Sequence, residues 1–167
     1  MAIAATTPVL WHTREFIGDV LLESNDEHFP LMLARTVGPA RPSEVLRVIR
    51  EFDDASARAR AEGRTLVTIL DASQGVVPDQ LNRDILMDWL ISKRDVAASR
   101  SPRIFVVAPD TLVRGFIASL RWTAGRNVCV DTVPTIEAAI ERACAALEHA
   151  REAIPEVLAQ ARAQSPR

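Results

Sequence analysis

Three short runs of β-branched and apolar residues, each followed by a stretch with helical periodicity, constrain this chain more than any other feature. They are Arg64 to Ser73 (RTLVTILDAS), Arg103 to Pro109 (RIFVVAP) and Asn127 to Val133 (NVCVDTV). Runs this apolar read as strands buried on both faces. Buried strands that alternate with helices make an α/β sandwich, with the later strands mainly parallel and joined by right-handed crossovers.

The intervening helices carry their own signals. Pro42 suits the first helical position and Glu44 the positive N-terminal end. Val45, Leu46, Ile49 and Phe52 fall on one face, and Gly63 supplies a left-handed stop. Asp79 is placed to cap the next helix, whose apolar stripe reads Leu81, Ile85, Trp89 and Val96. Met87 and Ile91 lie off that stripe, so this helix is expected to pack on two sides. Asp110 or Thr111 opens a third helix with the core face Leu112, Val113, Phe116, Ile117 and Leu120, closed by Gly125. Thr135 caps a fourth, carrying Ile136, Ala139, Ile140, Ala143 and Leu147. Pro155 then breaks or restarts the chain.

Upstream, Val9 to Arg35 looks β-like. Gly18-Asp19 and Ser24-Asn25-Asp26 offer turn chemistry, and Phe29 to Arg35 (FPLMLAR) reads as a strand. The expected order is β-β-α-β-α-β-α-β-α with a further helical piece. Residues 1–8 are expected to be a flexible terminus, 9–150 one domain, and 151–167 a helical extension and tail. Ile154, Val157, Leu158 and Ala161 make that extension amphipathic. It either folds back on its own sheet or packs on a second copy, and a homodimer is the expectation.

Composition narrows the function classes. Net charge is −2, from 20 Lys+Arg against 22 Asp+Glu, so a nucleic-acid-binding basic domain is not expected. No apolar stretch approaches the ~20 residues that span a bilayer. Two cysteines make no disulfide framework, and the N-terminus lacks a secretory pattern, so a cytoplasmic protein is expected. Nineteen of the 20 basic residues are arginine, which leaves Lys93 the sole candidate for lysine chemistry.

Motifs for chemistry are sparse. There is no G-x-x-x-x-G-K-[ST] and no G-x-G-x-x-G, and the six glycines are dispersed, so no phosphate cradle is expected. His12, His28, His149, Cys129 and Cys144 have no metal-ligand spacing. Asp71, Asp79, Asp110 and Asp131 fall near predicted strand ends, the edge where open α/β sheets bind ligands. Asp79 and Asp110 are equally placed as helix caps. From Arg83 to Arg126 eight basic residues face four acidic ones, and Arg114 and Arg121 stand two helical turns apart. With Arg126 they form either a docking patch for an acidic partner or a solvated helix face.

Several segments resemble the STAS domain, the anti-sigma-factor-antagonist fold typified by SpoIIAA. They are FPLMLARTVGPARPSEVLRVI, LVTILDAS, RIFVVAP and the closing VPTIEAAIERACAAL, within roughly residues 9–148. The resemblance extends to divergent STAS-like bacterial proteins, whose superfamily also holds CRAL-TRIO-type lipid-transfer domains. It implies a STAS-like α/β sandwich, with a mixed four- to five-stranded sheet and an extra C-terminal helix. Antagonists of this type carry D-[ST]-[ST]-G at the start of the helix after the central strand. Here that place is Asp79-Gln80-Leu81-Asn82, with no hydroxyl to phosphorylate.

These readings make a non-enzymatic interaction module the first expectation, with no cofactor and no metal. It would dock a protein partner through Ser73, Gln74, Asp79, Met87, Ile91, Arg114 and Arg121. The alternative is a carrier or sensor of a small apolar or lipid-like ligand. An enzyme using Asp71 with Asp110 or Asp131 ranks third.

Overall fold

The structure, a computed structural model, describes residues 22–93, 101–124 and 129–165. The expectations for residues 1–21, and for Val96, Gly125 and Arg126, lie outside them. The described residues form β1 (Leu22–His28), β2 (Leu31–Gly38), α1 (Pro42–Ala61), β3 (Val67–Gly75) and α2 (Gln80–Ser92). There follow β4 (Arg103–Val107), α3 (Thr111–Ala124), β5 (Cys129–Val133), α4 (Ile136–His149) and α5 (Glu156–Gln164). This is the expected α/β class, with five strands in one mixed sheet. No described helix is long and apolar enough to cross a membrane.

The sheet runs β1-β2-β3-β4-β5 in sequence order, with β1 antiparallel to β2 and the rest parallel. Right-handed crossovers that always step the same way put their helices on one face. Accordingly α1, α2 and α3 pack on the face carrying Met32, Ala72, Ile104, Val106 and Val130. After β5 no further strand follows among the described residues, and α4 returns across the opposite face over Leu31, Leu33, Val67, Ile69 and Phe105. Alternate residues of β2, β3 and β4 thus serve two separate cores, which is why these runs are continuously apolar.

Helix ends follow their sequence signals. Asp79 Oδ1 accepts from Asn82 N at 2.9 Å, Asp110 Oδ1 from Val113 N at 3.0 Å, and Thr135 Oγ1 from Ala138 N at 3.2 Å. Each such cap stabilises by about 1 kcal/mol. Gly63 sits at φ +66 after α1, with Gly63 N donating to Arg60 O and Arg64 N to Ala59 O. Arg151 takes the same left-handed place after α4, at φ 60, with Glu152 N donating to Leu147 O. Both ends are therefore Schellman motifs. The residues following the two left-handed positions meet across 88 positions of sequence: Arg64 Nε donates to Glu152 Oε2 at 2.9 Å.

Four local expectations are corrected. Ser24-Asn25-Asp26 is not a turn but lies within β1, because β2 offers it a pairing partner and the irregularity is absorbed between Asn25 and His28. Leu46 and Leu112 are not core residues; Leu112 is 73% exposed, on the outer side of α3. The buried face of α2 keeps Trp89 but not Leu81: Leu81 is 57% exposed, while Asn82 and Leu90 are buried and Met87 and Trp89 pack against the core. Finally, β3 does not end at Asp71.

That last difference has a clear cause. Beyond Asp71 the strand leaves β4 but continues along β2, from Val37↔Gln74 to Gly38↔Gly75. One position of β2, Thr36, faces two of β3, Ala72 and Ser73, which is a bulge. Asp71 Oδ1 accepts from Ser73 N at 3.0 Å, satisfying a donor the bulge turns away. Gly75 is required for closeness: a Cβ there would lie 2.9 Å from Thr36 Cγ2 and 3.2 Å from Ala72 O.

α5 folds back onto the chain's own core, where Val157, Leu158 and Ala161 are buried with Leu147 and Ala143. The apolar residues that raised the question of a second copy are thus covered within the chain.

Candidate functional site

The two faces of the sheet differ. Under α4 and α5 the sheet packs against Ala139, Ile140, Ala143, Leu147 and Leu158, all fully buried. Under α1, α2 and α3 a cavity of about 210 Å³ remains between sheet and helices. Its floor is Met32, Ala34, Thr68, Leu70 and Val106. Its roof includes Phe52 from α1, Leu86 and Trp89 from α2, and Ile117 from α3. The Phe52 and Trp89 rings meet edge to face, 5.3 Å between centroids at 86°. Trp89 Nε1 donates to Asp53 Oδ1 at 3.1 Å, and Lys93 Nζ reaches the same oxygen at 2.9 Å, which fixes this wall.

One end of the cavity lies at the carboxyl edge of the parallel strands. It is bounded by the loop residues Pro39, Ala40, Val76 and Pro78, and Val76 is 49% exposed. A crevice beyond the strand ends is the usual ligand entry of an open α/β sheet. The lining is almost entirely apolar, and among the described residues Asp79 is the one ionisable side chain in it, already engaged as the α2 cap.

Two of the lining residues each carry a fully buried polar atom with no hydrogen-bond partner among the described residues: Thr68 Oγ1 and Asn82 Oδ1. Thr68 is 4% exposed and Asn82 2%. Asn82 Nδ2 donates to Ala40 O at 2.8 Å, which assigns the amide and leaves the oxygen as the unpaired atom. Buried polar groups without partners are rare, because each forfeits hydration worth roughly 1–3 kcal/mol. Neither residue stood out in the sequence. Thr68 fits the β-branched run, and Asn82 was masked by the wrong choice of α2 face. The available signal was an asparagine three residues after an aspartate cap, on the side that Leu86, Trp89 and Leu90 extend.

The expected docking residues divide. Ser73, Gln74 and Asp79 lie close in sequence around the rim, with Ser73 and Gln74 exposed on the last residues of β3. Ile91 is exposed at the far end of α2, whereas Met87 is partly buried. Arg114 turns back on its own loop, donating to Pro109 O at 2.6 Å, Ala108 O and Thr111 Oγ1. Arg121 pairs with Asp131 at 3.5 Å. The strand-end carboxylates are likewise engaged: Asp71 at the bulge, Asp110 as a cap, Asp131 with Arg121.

Among the described residues no group of three His, Cys, Asp or Glu is placed to hold a metal. Cys129 and Cys144 are both free thiols. Burial raises the Cys144 pKa, with Arg162 opposing and Glu141 and Glu148 adding to the rise.

The architecture defines a class: a five-stranded α/β sandwich with an apolar cavity between the sheet and the helices of one face. Compared with known proteins, the chain matches no family model and no curated protein.

Proposed function

We propose that this protein is a STAS-like, non-enzymatic binding domain of the cytoplasm that carries or senses a small apolar ligand. The observation that carries this reading is the apolar cavity between the sheet and α1, α2 and α3. A cavity of about 150 Å³ lined by apolar side chains holds benzene, so about 210 Å³ suits a molecule somewhat larger, such as a bicyclic ring. A two-chain lipid does not fit that volume. The sequential strand order and the return of α4 over the opposite face support the STAS-like part of the reading. The two free thiols suit a reducing compartment.

The test is direct binding of benzene and naphthalene to the full chain, by calorimetry and by thermal unfolding. At a hundredfold excess over Kd a ligand stabilises by ~2.7 kcal/mol. For a chain of this size that is a Tm rise of about 5–10 °C. No shift with either compound near its solubility limit sinks the reading.

Docking of a protein partner is the second reading, favoured by exposed Val76 and Leu81 beside the cavity rim. A Leu81→Asp variant should fold normally and lose the partner. If every protein captured by the unaltered chain still binds the variant, this surface is not the interface.

A further inference from the structure

We infer that ligands enter and leave the cavity between the first turn of α2 and the β2–α1 loop, and that the hydrogen bond from Asn82 Nδ2 to Ala40 O is the clasp that closes this passage. The inference rests on the ligand-binding reading above and adds the route and what controls it.

Exposure locates the passage. Among the described residues of the lining, the exposed ones are Pro39, Val76 and Asp79. All three lie at the carboxyl edge of the parallel strands, in the loops that precede α1 and α2. Asn82, the third residue of α2, is 2% exposed, and its amide donates to Ala40 O in the opposite loop at 2.8 Å. The two residues are 42 positions apart in sequence, and both belong to the lining. The bond therefore joins the two sides of the entrance.

The fastenings of α2 show which end can part. At its far end Trp89 Nε1 and Lys93 Nζ both reach one carboxylate oxygen of Asp53 on α1. Bonds to a carboxylate are stronger than bonds between neutral groups. Leu90 at that end is buried, and the Trp89 ring meets Phe52. At the near end, roughly 16 Å back along the helix, Leu81 is exposed and the tie to the β2–α1 loop is a neutral hydrogen bond. The Asp79 cap joins α2 only to its own first turn. The helix is thus anchored far from the entrance and lightly held beside it.

Closing the clasp carries a penalty that opening relieves. With Nδ2 bound to Ala40 O, Asn82 Oδ1 is buried without a partner among the described residues. An unpaired buried oxygen costs as much as one neutral hydrogen bond contributes, or more. When the first turn of α2 moves outward, water hydrates both ends of the broken bond and this oxygen as well. Apolar contacts along α2 keep the helix in place, while the turn at Asn82 is poised to open locally. The oxygen needs no contact with the ligand for this role.

The probe is fluorobenzene on the full chain, with Kd from calorimetry and the dissociation rate from fluorine exchange spectroscopy. Asn82→Ala removes the clasp and leaves a gap, and should raise that rate about tenfold. Asn82→Leu also removes the clasp, but it buries an apolar side chain with no oxygen to hydrate, and should lower the rate about tenfold. In both variants Kd should stay level, so association changes by the same factor as dissociation. If both variants move the rate in the same direction, Asn82 only supports the fold and the clasp is overturned. Should either variant fail to fold, association with the unaltered chain, followed by tryptophan fluorescence, decides. Its rate should level off as fluorobenzene is raised, because opening precedes binding. A linear rise up to the solubility limit overturns the clasp, as do unchanged rates in both variants, and each leaves the cavity reading standing. Failure of fluorobenzene and of benzene to bind at all removes the cavity reading itself.

Discussion

Leu158→Ala should destabilise the protein by about 3 kcal/mol, within the ~2–5 kcal/mol range of fully buried leucine truncations. Leu158 has no exposed surface and sits in the cluster that joins α5 to Leu147, Ala143 and the β2–β3 strands. The packing there is continuous, so the removed atoms leave a hole that fixed neighbours cannot close. Against the ~5–15 kcal/mol that holds a domain together, this is a large fraction. A chemical-denaturation midpoint measures it. A change below 1 kcal/mol would mean that α5 is an appendage rather than part of the core.

Ala34→Leu should behave in the opposite way. Ala34 is buried on the hollow face and its side chain lines the cavity. In a filled core, added methylene groups cost about 1–3 kcal/mol through overpacking. Here they enter space already present, so burial of roughly two to three carbons, at ~0.8 kcal/mol each, outweighs strain. The variant should unfold at the same temperature as the unaltered chain or higher. Its affinity for benzene and for naphthalene should fall at least about fiftyfold, because the leucine occupies the ligand's volume. Stable folding with undiminished binding would place the ligand elsewhere. Strong destabilisation would mean the face is not hollow.

The two substitutions probe one asymmetry. Three helices bridge the strands on one side of the sheet and two cover the other. On the bridging side small residues, Ala34, Ala72 and Gly75, face α1 and α2. Gly75 cannot be enlarged without meeting Thr36, and it sits at the rim. The bulge after Asp71 sets where β3 leaves the sheet and hence where that rim lies.

Much of the fold was legible from local pattern. Apolar runs of strand length, the caps at Asp79, Asp110 and Thr135, and the stop at Gly63 each depend on residues within a few positions. Their alternation led to the observed order of elements and to parallel pairing. What misled was always a choice of partner. Ser24-Asn25-Asp26 has turn composition, yet β2 pairs with it. Leu81 and Ile85 are apolar at helical spacing, yet α2 turns Asn82 and Leu90 inward. An asparagine on a buried helix face breaks the periodicity that reveals the face, so Asn82 hides which side of α2 is buried.

By itself, then, the sequence determined the α/β class, the order of strands and helices, and the chemistry at helix ends. These follow from backbone geometry and from periods of two and 3.6 residues, which are properties of neighbours along the chain. Only the tertiary structure decided the face of α2, the length of β3, the return of α5 and the existence of the cavity. A cavity is the volume left between side chains from several elements, and a buried polar atom is unpaired only when nothing nearby satisfies it. Neither property has a signature in any single segment, since both depend on what the rest of the fold leaves unfilled.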